Sequence, residues 1–242
     1  MNRLQNRTAT EIVVETRGEV SSAAPEYARG KLLAVLERLD EPVLAARVKL
    51  TQEANHAVAK PSLAQATVDL NGRPVRAHVA AATMQEAVDL LQDRLTARLA
   101  RARDRRHGER RHSDEHRPQR LVRSAEARRI VRHKSYSLAR QSAEAAASEL
   151  EAMDYDFHLF TDAETGREAV VYRARETGGH RYAVAGPTAG GRGVPELDVT
   201  DAVASLDLSG LAFVFFTDRA TGRGNVLYHR YDGHYGLITP VQ

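Results

Sequence analysis

Cysteine is absent from the 242 residues, which rules out disulfides and thiolate chemistry and suits a reducing compartment. Lysine is scarce. It stands only at positions 31, 49, 60 and 134, so arginine carries almost all of the positive charge, a bias that together with abundant alanine suggests a GC-rich genome. No apolar run approaches the roughly 18 residues of a membrane span, and the polar start Met1-Asn-Arg-Leu-Gln-Asn-Arg is no secretory leader. These absences read as a cytoplasmic protein with no membrane partner. Catalytic motifs are missing too. The histidines are scattered, and the Asp162 and Asp218 carboxylates sit in turns where aspartate is structurally favoured, so no enzyme activity and no small-molecule substrate is expected. Gly186-Pro-Thr-Ala-Gly-Gly-Arg-Gly193 lacks the Gly-Lys-Ser/Thr ending of a phosphate loop and reads as a connector. His112 and His116 have metal-compatible spacing only on a helix, and no third ligand accompanies them, so neither metal nor cofactor is expected.

What the chain does have is a repeat. Phe157-His-Leu-Phe160-Thr161-Asp162 through Thr165-Gly166-Arg167 to Val170-Val-Tyr172 returns 56 residues later as Phe213-Val-Phe-Phe216-Thr217-Asp218 through Thr221-Gly222-Arg223 to Val226-Leu-Tyr228. Nine of those 16 positions are identical, which indicates one small unit present in tandem behind a different N-terminal half. A hydrophobic content of 42% is enough for several small cores.

The alternation of apolar residues sets the expected fold. Residues 11–17 read as a strand. Ser22-Ala-Ala-Pro25-Glu26 opens a helix carrying Tyr27, Leu32, Val35, Leu36 and Leu39, which Asp40-Glu-Pro42 ends. Residues 46–50 alternate as a strand, and two more strands flank Asn71-Gly72 as a hairpin. Thr83 and Glu86 form a capping-box pattern ahead of a second helix striped by Met84, Ala87, Val88, Leu91, Leu95 and Leu99. The fold class is therefore α+β: an N-terminal β-α-β-β-β-α domain, a four-stranded sheet with two helices on one face, followed by two small tandem α+β repeats. The boundaries read as 1–106 for the first domain, 107–127 for a basic flexible linker, 128–187 for the first repeat, 188–193 for a connector and 194–242 for the second repeat. Ile130 to Tyr136 reads as the opening strand of the first repeat. In the second repeat, Val194-Pro195-Glu-Leu-Asp-Val-Thr reads as a short, proline-interrupted counterpart.

Charge is concentrated in the middle. Residues 94–134 hold fifteen basic and five acidic residues, a net +10 within a chain of net +3, so the remainder sums to −7. Arg94, Arg98, Arg101 and Arg105 step by four, three and four along one face of the second helix, with Arg103 beside them. Guanidinium forks on one face suit the phosphate oxygens of a nucleic acid, and few acids lie nearby in sequence to pair them. Arg29 and Lys31 on the first helix extend the patch if the two helices lie side by side.

At this point the residues resemble a known family, the long-form ribosome hibernation promoting factors, also called the sigma-54 modulation or ribosome-subunit-interface proteins. The likeness rests on the β-α-β-β-β-α order, on Thr83-Met84-Gln-Glu-Ala87-Val88-Asp89 leading into the arginine face, and on Ile130-Val-Arg-x-Lys134, Asp156-Phe157-x-x-Phe160, Val170-Val-Tyr172-Arg173 and Arg230-Tyr-Asp232-Gly233-His-Tyr235-Gly236-Leu237-Ile238-x-Pro240. The chain looks like an actinobacterial-type variant with a duplicated C-terminal domain. The resemblance implies a stress-linked, non-enzymatic factor that lodges in the small ribosomal subunit against 16S rRNA, with Arg29, Lys31, Arg94, Arg98, Arg101, Arg103 and Arg105 as its rRNA-binding residues. The family's second lysine on the first helix falls here on Ala34, its acid before the methionine on Thr83 and its aromatic after it on Gln85.

The resemblance further implies that tail domains dimerise by strand exchange and join two ribosomes. Here the two tails have lost complementary parts, and a short connector holds each at high local concentration for the other. The expectation is pairing within the chain around Phe157, Phe160, Val171, Tyr172, Phe213, Phe216, Leu227 and Tyr228, and silencing of single ribosomes. Self-association between chains through the repeats is the alternative, and a general RNA-binding or transcription-regulatory module a further one.

Overall fold

The structure is a computed structural model. It describes residues 11–54, 59–103, 121, 123–176, 179–186 and 194–241, without the side chains of 174–183. Two compact units divide the chain, one of residues 1–119 with 152–154, the other of residues 120–151 with 155–242.

In the first unit β1 (Ile12–Arg17), α1 (Ala24–Leu36), β2 (Val43–Gln52), β3 (Ser62–Leu70), β4 (Arg73–Ala81) and α2 (Met84–Arg103) follow in order. The sheet order is β1-β2-β3-β4, with β1 parallel to β2 and the other pairs antiparallel. Strand alternation sends Ala46, Val48, Leu50, Ala64, Ala66, Val68, Val75, Ala77 and Val79 to one face, all of them buried. Ala28, Leu32, Val35 and Leu36 of α1 cover that face with Ala87, Val88, Leu91, Leu95 and Leu99 of α2. Truncating one fully enclosed leucine such as Leu91 to alanine costs about 2–5 kcal/mol. The β3–β4 turn takes Asn71 at φ 52° and Gly72 at φ 81°, the left-handed pair that a two-residue hairpin requires. At the start of α2 the Glu86 N–H donates to Thr83 Oγ1 at 3.2 Å, and the Glu86 carboxylate accepts from the Ala82 N–H at 3.2 Å.

The second unit contains both repeats. The first holds β5 (Ile130–Tyr136), β6 (Arg140–Gln141), α3 (Ala143–Ala152), β7 (Phe157–Asp162), β8 (Glu168–Glu176) and β9 (Gly179–Ala185). The second holds β10 (Glu196–Leu197), α4 (Val199–Ser209), β11 (Phe213–Asp218), β12 (Gly224–His229) and β13 (Tyr235–Pro240). A shift of 56 residues carries β6 onto β10, the start of α3 onto the start of α4, and β7 and β8 onto β11 and β12. The strand reading of Val194 to Thr200 is corrected here. Only Glu196 and Leu197 are strand and they match β6, while Asp198 caps α4 by accepting from the Asp201 N–H at 2.8 Å. The opening strand has crossed over. The first sheet runs β6-β7-β8-β9, whereas the second runs β10-β11-β12-β13-β5, with β5 parallel to β13 from Tyr235↔Ile130 to Pro240↔Tyr136.

The two sheets meet face to face around Leu159, Val170, Phe215, Val226 and Ile238, flanked by Phe157, Tyr172, Phe213 and Tyr228. The contacts are reciprocal, as a two-fold interface demands. Phe157 lies 4.8 Å from its own repeat-mate Phe213, Phe157 lies 5.4 Å from Tyr228, and Tyr172 lies 5.5 Å from Phe213. Four residues assigned to this interface from sequence lie elsewhere. Phe160 and Val171 pack under α3 with Ala146 and Leu150, and Phe216 and Leu227 pack under α4 with Ala202 and Leu206. Period-two alternation is the reason, because Phe157 and Phe160 are three apart on one strand and must face opposite sides. Gly224 permits the close approach: a Cβ there would sit 2.7 Å from Glu168 Cβ and 2.9 Å from the Phe215 ring. The chain's way into this unit is also fixed. Leu121, placed in the linker by the sequence reading, donates its N–H to the Tyr231 carbonyl at 2.9 Å, and Arg123 Nε donates to the Asp232 carbonyl at 2.7 Å.

Candidate nucleic-acid interface

Helices α1 and α2 lie side by side over the sheet of the first domain. Arg105, the linker histidines His112 and His116, and most of the Gly186–Gly193 stretch fall outside the described residues. Among the rest, the expectation that acids are lacking is corrected. Arg29 Nη1 lies 2.6 Å from Glu26 Oε2, one helical turn away. Lys31 Nζ lies 2.7 Å from Asp89 Oδ1 and 5.2 Å from the Tyr27 ring centroid, and the Tyr27 hydroxyl donates to the same carboxylate oxygen at 2.6 Å. The hydrogen bond from Lys31 holds the Asp89 carboxyl below the usual aspartate range, and the same bond raises the lysine. Arg103 Nη2 lies 2.7 Å from Asp40. Asp40 and Asp89 are distant in sequence from the cations they meet, so spacing along the chain could not announce them, whereas the Glu26–Arg29 pair at i, i+3 was legible.

Burial separates these cations into two groups. Arg98 is only 4% exposed; its Nε donates to the Arg76 carbonyl at 2.7 Å, and its Nη1 lies 3.3 Å from Asp154, which falls in the same compact unit. Arg94 Nε and Nη2 each donate to the Asp154 carboxylate at 3.2 Å, and the Arg94 side chain is about nine-tenths covered. Those two guanidiniums stand in buried hydrogen-bond networks. Arg29, Lys31 and Arg103 are different, because their ion pairs are exposed or half-exposed. Exposed pairs are worth about 0–1 kcal/mol, so a phosphate can replace the carboxylate at small cost. Arg101, half-buried, donates Nε to the Ala97 carbonyl of its own helix. An Arg98→Glu exchange would thus disturb the fold as well as any binding, and Arg101 and Arg103 are the better probes. Among the described residues no cluster of side chains is arranged to hold a metal ion, and no helix is long and apolar enough to cross a membrane.

A four-stranded α+β domain with two helices on one face, followed in the chain by two repeats that share a strand, defines a modular protein. The sigma 54 modulation protein / S30EA ribosomal protein model matches residues 12–107, and the sigma 54 modulation/S30EA ribosomal protein C terminus model matches twice, over residues 125–179 and 192–237. The chain belongs to this family, as a long form with a second C-terminal domain. A dormancy associated translation inhibitor of Mycobacterium tuberculosis is 41% identical over 214 residues, 81% of this chain and 76% of the relative. A ribosome hibernation promotion factor of Deinococcus radiodurans is 31% identical over 176 residues, 65% of this chain and 90% of its own. The N-terminal domain of Thermus thermophilus Protein Y, in a crystal structure, is 27% identical and covers 39% of this chain and all of its own, with a TM-score of 0.32.

Proposed function

We propose that this protein silences translation by lodging its N-terminal domain in the small ribosomal subunit, and that it does so on single ribosomes. The likeness to a translation inhibitor, running through both halves of the chain, carries the first part of the reading. Arg29, Lys31 and Arg103 then exchange their carboxylate partners for 16S rRNA phosphates and Arg101 joins them from the same helix, while Arg94 and Arg98 hold the helix face in shape; Arg105, outside the described residues, is a further phosphate ligand by its place in the sequence alone. Strand β5, paired inside the chain to β13, supports the second part, since the strand that would otherwise reach into another molecule is already used.

Sedimentation of ribosomes with the purified protein tests both statements. Co-migration with single ribosomes and with isolated small subunits is the expected pattern, and a peak of paired ribosomes would overturn the single-ribosome mode. Arg101→Glu together with Arg103→Glu should abolish co-sedimentation while the domain still unfolds cooperatively, at a slightly lower temperature because the exposed Arg103–Asp40 pair is lost. Binding by the native protein should also fall steeply with salt, since each neutralised phosphate contributes roughly 0.7–0.9 to the slope of log K against log salt.

A further inference from the structure

The two repeats share one donated strand between two acceptor edges. Strand β13 has β5 along its outer side; β9, its equivalent in the first repeat, has no strand beyond it among the described residues. A parallel neighbour requires a crossover of about a dozen residues or more, and only residues 186–195 separate β9 from β10. The chain between the repeats is too short to close this edge itself with a parallel strand.

Three positions distinguish the β9 edge from the β13 edge among the described residues. Val171↔Val184 in the first sheet matches Leu227↔Leu237 in the second, so Val184 stands where Leu237 stands. Leu237, alongside His133 of β5, is 6% exposed, whereas Val184 is 37% exposed. Asp207 of α4 accepts from Arg128, two residues ahead of β5, and from the Tyr235 hydroxyl at 2.6 Å. The position of Asp207 is held in α3 by Glu151, which has no ion-pair partner among the described residues, and the register puts Tyr182 where Tyr235 stands.

We infer that the β9 edge is a docking site for an extended segment of another protein, added in parallel as a fifth strand in the way β5 is added to β13, with an arginine or lysine two residues ahead of a β-branched pair to meet Glu151. Backbone hydrogen bonds supply affinity and the cation supplies register. This chemistry is that of β5 itself, Arg128-Arg-Ile-Val-Arg-His-Lys. A second copy of the chain carries the same sequence but holds it on its own β13 at high effective concentration, which leaves a foreign segment as the occupant. The inference rests on the pairing of the repeats within one chain.

A synthetic peptide of residues 126–138, bearing a photo-crosslinker and titrated into the full-length protein, provides the test. One-to-one binding with crosslinks to β9 is expected, weakened roughly tenfold or more by Val184→Lys and by Glu151→Lys, each about 1.4 kcal/mol or more. No binding, or binding indifferent to both variants, would overturn the docking site while leaving the ribosome reading intact. Crosslinks to β13 would mean instead that β5 is readily displaced, which would overturn the internal pairing on which the inference stands. Concentration-dependent dimers of the full chain that vanish in Val184→Lys would make a second copy the occupant and overturn the foreign one.

Discussion

The first repeat and the second repeat are the same unit under different obligations. Under α4, the second packs Phe216, Leu227, Tyr235 and Leu237, and among the side chains described the first packs Phe160, Ala169 and Val171 beneath the alanine-rich α3. The helix of the second ends on Gly210 at φ 64°, and the matching residue of the first is Asp154 at φ 52°. Val214 of the second is replaced by His158 in the first, and Gly224 by Glu168. Each difference removes something from one copy that the other retains. Two separately stable domains would have no need of such division, and a pair that folds as one unit tolerates it.

That contrast can be broken most forcefully in the two buried phenylalanines. Phe160 and Phe216 are both fully enclosed, so Phe160→Ala and Phe216→Ala should each cost about 3–5 kcal/mol. If the repeats fold as one unit, either substitution lowers a single shared transition in calorimetry. Two transitions, with only one displaced by each variant, would show the repeats to be independent. Next in size is Gly224→Val, which forces a side chain into Glu168 and the Phe215 ring where the sheets touch. Overpacking of this kind costs about 1–3 kcal/mol. The nearby Arg223–Glu168 ion pair, made across the same seam, should loosen with it. A Gly224→Val protein with unchanged stability would mean that the sheets do not meet at this seam.

Much of the first domain was legible in sequence, because its signals are local. The capping box at Thr83 and Glu86, the Asn71-Gly72 turn and the leucine stripe of α2 each fix their element within a few residues. The repeat was legible as well, but its use was not. Phe160, Val171, Phe216 and Leu227 face the helices and not the partner sheet, because identity between the two copies of a motif does not say which side of a strand each of its residues faces. Helix α4 carried its own signals, Asp198 as cap and Gly210 as terminator, which Pro195 and the β-branched Val199 and Thr200 masked. The acids facing the cationic helices were invisible for a different reason: Asp40 meets Arg103 and Asp89 meets Lys31 only once the chain has folded.

A smaller effect distinguishes the two helix ends. A Cβ on Gly210 would touch nothing, so Gly210→Ala isolates the cost of a left-handed φ, roughly 1 kcal/mol. Gly210→Asn should cost less than alanine, as asparagine tolerates this conformation through its own local hydrogen bonds. Denaturant midpoints of the two variants would check the order, and equal losses would point to a packing effect at the helix end.

Smallest, and confined to the first repeat, is a dependence on pH. His158 is pushed below the usual histidine range by burial, against an opposing pull from Glu149, whose carboxylate lies 3.3 Å from Nε2. Gln141 Nε2 also approaches the ring, at 3.1 Å, and Tyr155 stacks beside it at 6.3 Å between centroids. A histidine whose folded value is depressed favours the neutral form in the fold, so protonation favours the unfolded chain. Stability from this residue is therefore complete above the ordinary value of 6.5 and declines as pH falls through it toward the lower folded value. His158→Val installs the residue found at the same place in the second repeat. The variant should lose less stability than the native protein between about pH 7.5 and pH 5.5, a window set on either side of the ordinary histidine value. Parallel melting curves across that range would instead assign the pH response to histidines elsewhere, and the two repeats would then differ in packing alone.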